Sequence, residues 1–125
     1  LMARGIGGSE AFVNATWTDP EAMPDDRMAK TLIHTGAEDW DTALWAYLER
    51  WKMEDLAPRL AAITQPTLVL TGAEDGVVPL ADSERLAAAI DGASLAVLPD
   101  CGHVPQEECP DAYLAAVTGW LATLD

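Results

Sequence analysis

The chain has 125 residues, enough for one domain or part of one, and half of them are apolar, which allows a packed core and argues against global disorder. Twenty-one acids against seven Lys and Arg give a formal charge of −14, which repels phosphate backbones and argues against nucleic acid or an anionic membrane as partner. In chain order, residues 1 to 19 hold three glycines with no clear period and read as loop plus a short helix. Asp19-Pro20 looks like a helix start, with an acid at the N-cap and proline at the first helical position. Asp25 and Asp26 offer a second cap ahead of a helix from Arg27 to Thr35, which Gly36 ends. Trp40, Ala43, Leu44, Tyr47, Leu48 and Trp51 then fall at helical spacing and form one apolar stripe. Glu38 and Asp39 stand at the positive end of that helix. Leu56 to Ile63 reads as a short amphipathic turn.

After Pro66 the pattern changes. "TLVLTG" is a short apolar run ending in Gly72, as expected of a buried strand. A loop "GAEDGVVP" and a helix from Leu80 to Ile90 follow, and Asp91-Gly92 stops the helix. "SLAVLP" is a second buried strand. The last helix, after Pro110, presents Tyr113, Val117, Trp120, Leu121 and Leu124 on one face. Strand, helix, strand implies parallel strands in a right-handed unit. Two parallel strands are too few for a stable sheet, so this region is expected to be the end of a larger one, with an exposed strand edge through which the chain could associate.

Cys101 and Cys109 are the only cysteines, too few for a disulfide framework, and no second Cys/His pair gives zinc spacing. Reduced thiols in a cytoplasm are the expectation, with Cys101 a small buried side chain. No apolar run reaches about 18 residues, so no membrane span is expected. The start at Leu1, with neither initiator Met nor basic-then-apolar leader, reads as a truncation or a processed boundary.

Functional residues in open α/β sheets gather at the carboxyl ends of strands. Asp75 lies just past the first strand and His103 just past the second. Parallel neighbours bring both loops to one edge, where a carboxylate on imidazole Nδ1–H would fix the tautomer and leave Nε2 to accept a proton. Asp100 competes as the acid, but it sits so close to His103 in sequence that it suits the start of the turn. Glu74 is expected to face solvent. Glu107 and Glu108 are expected to favour the N-terminus of the last helix. His34 has no acid motif beside it and reads as surface or filling. Trp40, Trp45 and Trp51 read mainly as core, although Trp45 lies off the stripe and could face a substrate.

The two motifs together resemble the C-terminal part of an α/β-hydrolase-fold enzyme. Its pattern G-x-x-D-x-x-[VI]-P is met by Gly72, Asp75, Val78 and Pro79, and its Gly-His pattern by Gly102, His103, Pro105, Glu108 and Pro110. "WTDPEAMPDD" and "AEDWDTALWAYLERW" resemble the cap of this family. The resemblance implies a helical cap segment over residues 1–62 and a parallel β-α-β-α unit of the hydrolase core over 63–125. It implies a hydrolase of a small or medium apolar substrate, an ester first, in which Asp75 orients His103, His103 is the general base and no cofactor or metal is needed. The nucleophile elbow is not found. Gly7-Gly8-Ser9-Glu10-Ala11 fits its small-residue spacing, but "LMARGI" is a poor strand to precede it and residues 12 to 65 hold no central strand. The triad serine is therefore expected outside this chain, which alone should be inactive. An aspartate nucleophile would instead imply an epoxide hydrolase or haloalkane dehalogenase. A non-catalytic binding protein or fragment of the same fold is the remaining alternative.

Overall fold

The computed structural model describes residues 10–50 and 55–124. Within these the chain divides into two compact units, one of residues 10–15 and 19–50, the other of 16–18 and 55–124.

The first unit is helical. It comprises α1 (Glu10–Ala15), α2 (Arg27–Thr31) and α3 (Trp40–Arg50), with 3-10 turns at Pro20–Ala22 and Ile33–Gly36. Asp19 caps as expected, its side chain accepting from Glu21 N–H at 3.0 Å, but only a 3-10 turn follows. The helix expected over 27–35 is shorter: Asp26 adopts helical backbone and makes no cap hydrogen bond, and its carboxylate pairs with Lys30 at 2.5 Å instead. That pairing also lowers the Asp26 carboxyl below its ordinary value, the Lys30 hydrogen bond being the main cause. Val13 is buried. The α3 stripe exists, but no residue of α3 is buried and Tyr47 and Trp45 are exposed, so the expectation that its aromatics form core is corrected for the described ones. Trp40 meets the ring of His34 edge-on, centroids 5.1 Å apart. Trp51 lies outside the described residues.

The second unit follows the expected order: a 3-10 turn (Ala57–Ala62), β1 (Leu68–Gly72), α4 (Leu80–Ala89), β2 (Ser94–Leu98), a short α5 (Pro105–Glu108) and α6 (Pro110–Leu121). β1 and β2 pair in parallel, from Leu68 opposite Ser94 to Gly72 opposite Leu98. Among the described residues the sheet has these two strands. α4 packs on both strands and on the Ala57–Ala62 turn, while α6 touches β2. Val69, Thr71, Ile90, Leu98, Cys101 and Trp17 are buried. β2 is less buried than expected, with Leu95 and Val97 exposed, because a strand is covered only where another layer lies over it.

The two glycines of the motifs are explained by close approach. A Cβ on Gly72 would stand 2.1 Å from the Cys101 carbonyl oxygen and 2.3 Å from that of Gly102. A Cβ on Gly102 would meet Thr16 O at 2.8 Å and Thr18 N at 3.0 Å. The loop after β2 thus lies directly on the end of β1, with backbone rather than flexible side chain as the obstacle.

Candidate active site

The parallel register ends at Gly72 opposite Leu98, so both following loops leave the same edge. The ladder then runs past the strands, with Ala73 N donating to Leu98 O at 2.8 Å and Glu74 N to Cys101 O at 3.1 Å. These bonds carry the acid loop and the histidine loop side by side. The Nδ1 of His103 lies 3.1 and 3.0 Å from the two carboxylate oxygens of Asp75. This is within the hydrogen-bond reach expected from the sequence.

Asp75 is itself held. The N–H groups of Val77 and Val78 both donate to its Oδ1 at 2.8 Å. Its side chain is 7% exposed against 34% for that of His103. The acid is therefore shielded while the ring keeps an open side. Burial, the largest influence, pushes the Asp75 carboxyl up, but the Val78 N–H, His103 and the Val77 N–H together outweigh it and hold it below the usual carboxylate range. An ionised acceptor on one ring nitrogen places the proton at Nδ1 and the lone pair at Nε2. The ring can then take a proton from a hydroxyl or water on its open side.

The other candidates are placed as follows. Asp100 has left-handed backbone, φ 55°, and serves the turn; the carboxylate that meets the imidazole is that of Asp75. Glu74 does not simply face solvent, because its Oε2 accepts from Cys101 N–H at 3.2 Å. Glu108 likewise turns away from the role expected of it: its two oxygens accept from Thr18 N–H at 2.7 Å and Gly102 N–H at 2.6 Å. His34 Nδ1 lies 3.1 Å from Thr31 O, away from any acid motif. Ser9 lies outside the described residues. Among the described residues no cluster of His, Cys, Asp and Glu is arranged to hold a metal ion.

Cys101 is buried as expected, at 1% exposure. The expectation of reduced thiols is corrected, since Cys101 and Cys109 form a disulfide. Counting cysteines missed this, whereas their positions on either side of the histidine turn, eight residues apart, are the signal that could have found it. The bridge closes the loop that contains His103. Closing a loop this short should contribute about 2–3 kcal/mol through the unfolded chain. Urea midpoints under reducing conditions, or for Cys109→Ser, should fall accordingly. A midpoint indifferent to reductant would mean the bridge does not form in solution.

Comparison with known proteins places the chain in a family. Residues 1–116 match the family model described as the alpha/beta hydrolase family. A 2-hydroxy-6-oxononadienedioate/2-hydroxy-6-oxononatrienedioate hydrolase of Klebsiella pneumoniae is 41% identical over 68 residues, covering 54% of this chain and 24% of that protein. The 2-hydroxy-6-oxo-6-phenylhexa-2,4-dienoate hydrolase from Rhodococcus sp. strain RHA1 superposes with a TM-score of 0.76 at 24% identity, covering 90% of this chain and 42% of its own. A thermophilic esterase from Thermogutta terrifontis superposes with a TM-score of 0.64 at 30% identity, covering 78% of this chain and 35% of its own. This chain thus spans less than half the length of these solved structures, and a quarter of the curated relative is aligned. With the family model matching over 1–116 and the motif residues set out in the family's order, the chain belongs to the alpha/beta hydrolase family.

Proposed function

We propose that this chain supplies the acid and the base of a hydrolase that works through a nucleophile–His–acid triad. The observation that carries the reading is the shielded Asp75 carboxylate on His103 Nδ1. In this reading Nε2 of His103 takes the proton of a serine hydroxyl, supplied from outside the chain, as the oxygen attacks a carbonyl carbon. Asp75 stabilises the imidazolium that forms, and the ring then gives its proton to the leaving group. A water attacks the acyl-enzyme by the same route in reverse roles. The helical residues ahead of β1 keep the role of a cap segment as part of this proposal, on their resemblance alone.

For the substrate, the curated relative shifts the expectation. The molecule in its name has hydroxyl, oxo, alkene and carboxylate groups but no ester or amide. Hydrolysis there must break a carbon–carbon bond beside the ketone, with the leaving carbon protonated. The same base chemistry serves an ester, where the leaving oxygen is protonated. We place the carbon–carbon reading first, on the 41% identity, and the ester second, on the 30% identity to an esterase. The charge of −14 disfavours a doubly anionic substrate, so a monocarboxylate with an apolar group on the ketone suits this chain better.

The test uses the protein encoded by the whole reading frame that contains this chain. It should consume a 2-hydroxy-6-oxo-dienoate, read by loss of the conjugated dienone absorbance, faster than a nitrophenyl ester. The 125-residue chain alone should turn over neither. Hydrolysis of neither compound by the whole protein, or turnover by the short chain, would overturn the reading. No helix among the described residues is long and apolar enough to cross a membrane. A cytoplasmic setting loses the support of reduced thiols, because a persistent disulfide suits an oxidising compartment.

A further inference from the structure

Three successive backbone amides at the histidine turn are each tied to a different part of the second unit. Cys101 N–H donates to the Glu74 carboxylate of the acid loop. Gly102 N–H donates to Glu108 Oε2 at 2.6 Å. His103 N–H donates to Thr16 O at 2.8 Å. Glu108 closes this set, because its other oxygen accepts from Thr18 N–H at 2.7 Å, ninety positions away in sequence.

The result is a ring of contacts around one point of backbone. Glu108 ends the one-turn helix α5, whose first residue Pro105 is buried. From there its carboxylate reaches back to Gly102 and across to the 16–18 segment, while Thr16 of that segment holds the amide of His103. The space is full: a Cβ on Gly102 would stand 2.9 Å from Glu108 Oε2, as well as against Thr16 and Thr18. A carboxylate accepting from two amides makes charge-assisted bonds, roughly twice as strong as neutral ones. Attraction to the N-terminus of the following helix does not account for two oxygens aimed at these amides.

We propose that Glu108 is a positioning residue for His103: by bridging Gly102 and Thr18 it fixes the backbone from which the imidazole projects, and so the registry of its ring with Asp75. This rests on the reading of His103 as the general base. Nothing in the proposal has Glu108 touch substrate or move a proton. Its effect is on how often the ring stands where Nε2 can receive one. A displacement of about 1 Å in a reacting group costs on the order of a hundredfold in rate.

The experiment compares Glu108→Ala and Glu108→Gln in the whole protein. Glu108→Ala should lower kcat on the order of a hundredfold with KM nearly unchanged, because only chemistry in the bound state suffers. Glu108→Gln keeps the shape and one acceptor oxygen, so it should fall between wild type and alanine. It also serves if the alanine variant fails to fold, as judged by circular dichroism. The second readout is independent of turnover. The downfield NMR signal of the His103 Nδ1 proton, held by Asp75, should broaden or vanish in Glu108→Ala and persist in wild type. A kcat unchanged in both variants, or a loss confined to melting temperature or KM with the Nδ1 signal intact, would overturn the proposal. If wild type hydrolyses nothing, the hydrolase reading fails by itself, and the Nδ1 signal still decides whether Glu108 positions the ring.

Discussion

His103→Ala should lower kcat of the whole protein on the order of a millionfold, with KM little changed. The size follows from the role. A serine hydroxyl is a poor nucleophile unless its proton is removed as it attacks, and the same ring must later protonate the leaving group. Removing the imidazole therefore strikes both halves of the reaction, and triad members act as a unit. What remains is the binding and charge stabilisation offered by the rest of the site. The His103 side chain is a third exposed, so its loss leaves an opening rather than a sealed void. Added imidazole should for that reason restore part of the rate, which would place the defect at the missing ring. A variant that keeps a tenth or so of wild-type kcat would remove His103 from the mechanism, since general-base catalysis alone contributes about a hundredfold or more.

The dyad was legible in the sequence because the forces that create it are regular. Two parallel strands must end at one edge, so residues just past "TLVLTG" and "SLAVLP" meet, and Asp75 and His103 are those residues. The glycines were legible as motif positions but not in their cause. Only the folded backbone places the carbonyls of Cys101 and Gly102 where a Cβ of residue 72 would stand. Burial was the least legible property. The period of α3 was correct, yet the exposure of Trp45 and Tyr47, like that of Leu95 and Val97 on β2, depends on which layer lies over each face. Local rules also misplaced three acids. Asp26 looks like a cap, but its helical backbone turns the carboxylate to Lys30. Glu74 looks like a solvent residue beside Asp75, and Glu108 like a helix-end charge. Their partners are Cys101 and, for Glu108, Gly102 and the distant Thr18, which no short-range rule connects.

Asp75→Asn should lower kcat on the order of ten-thousandfold while leaving the fold in place. An asparagine of the same shape can present its amide N–H to Nδ1, which then becomes the acceptor and forces the ring proton onto Nε2. The lone pair needed by the nucleophile is thereby lost without any loss of packing. The same substitution carries a signature in stability against pH. The native Asp75 carboxyl is held below its ordinary value of 3.8, although burial opposes this, because the Val78 N–H, His103 and the Val77 N–H favour the anion. A group whose folded pKa is depressed stabilises the fold above its unfolded pKa and loses that contribution as pH falls through the folded one. Wild type should therefore lose stability relative to Asp75→Asn as pH falls below about 4, where the unfolded carboxyl takes up its proton first. Taking the difference between the two proteins cancels the other acids, which titrate alike in both. Urea midpoints of wild type and Asp75→Asn measured in parallel from neutral to acid pH would show the gap closing in that window. A gap that stays constant from neutral pH down through the carboxylate range would mean that Asp75 gains nothing from ionisation in the fold, and the ionised Asp75–His103 pair would have to be abandoned.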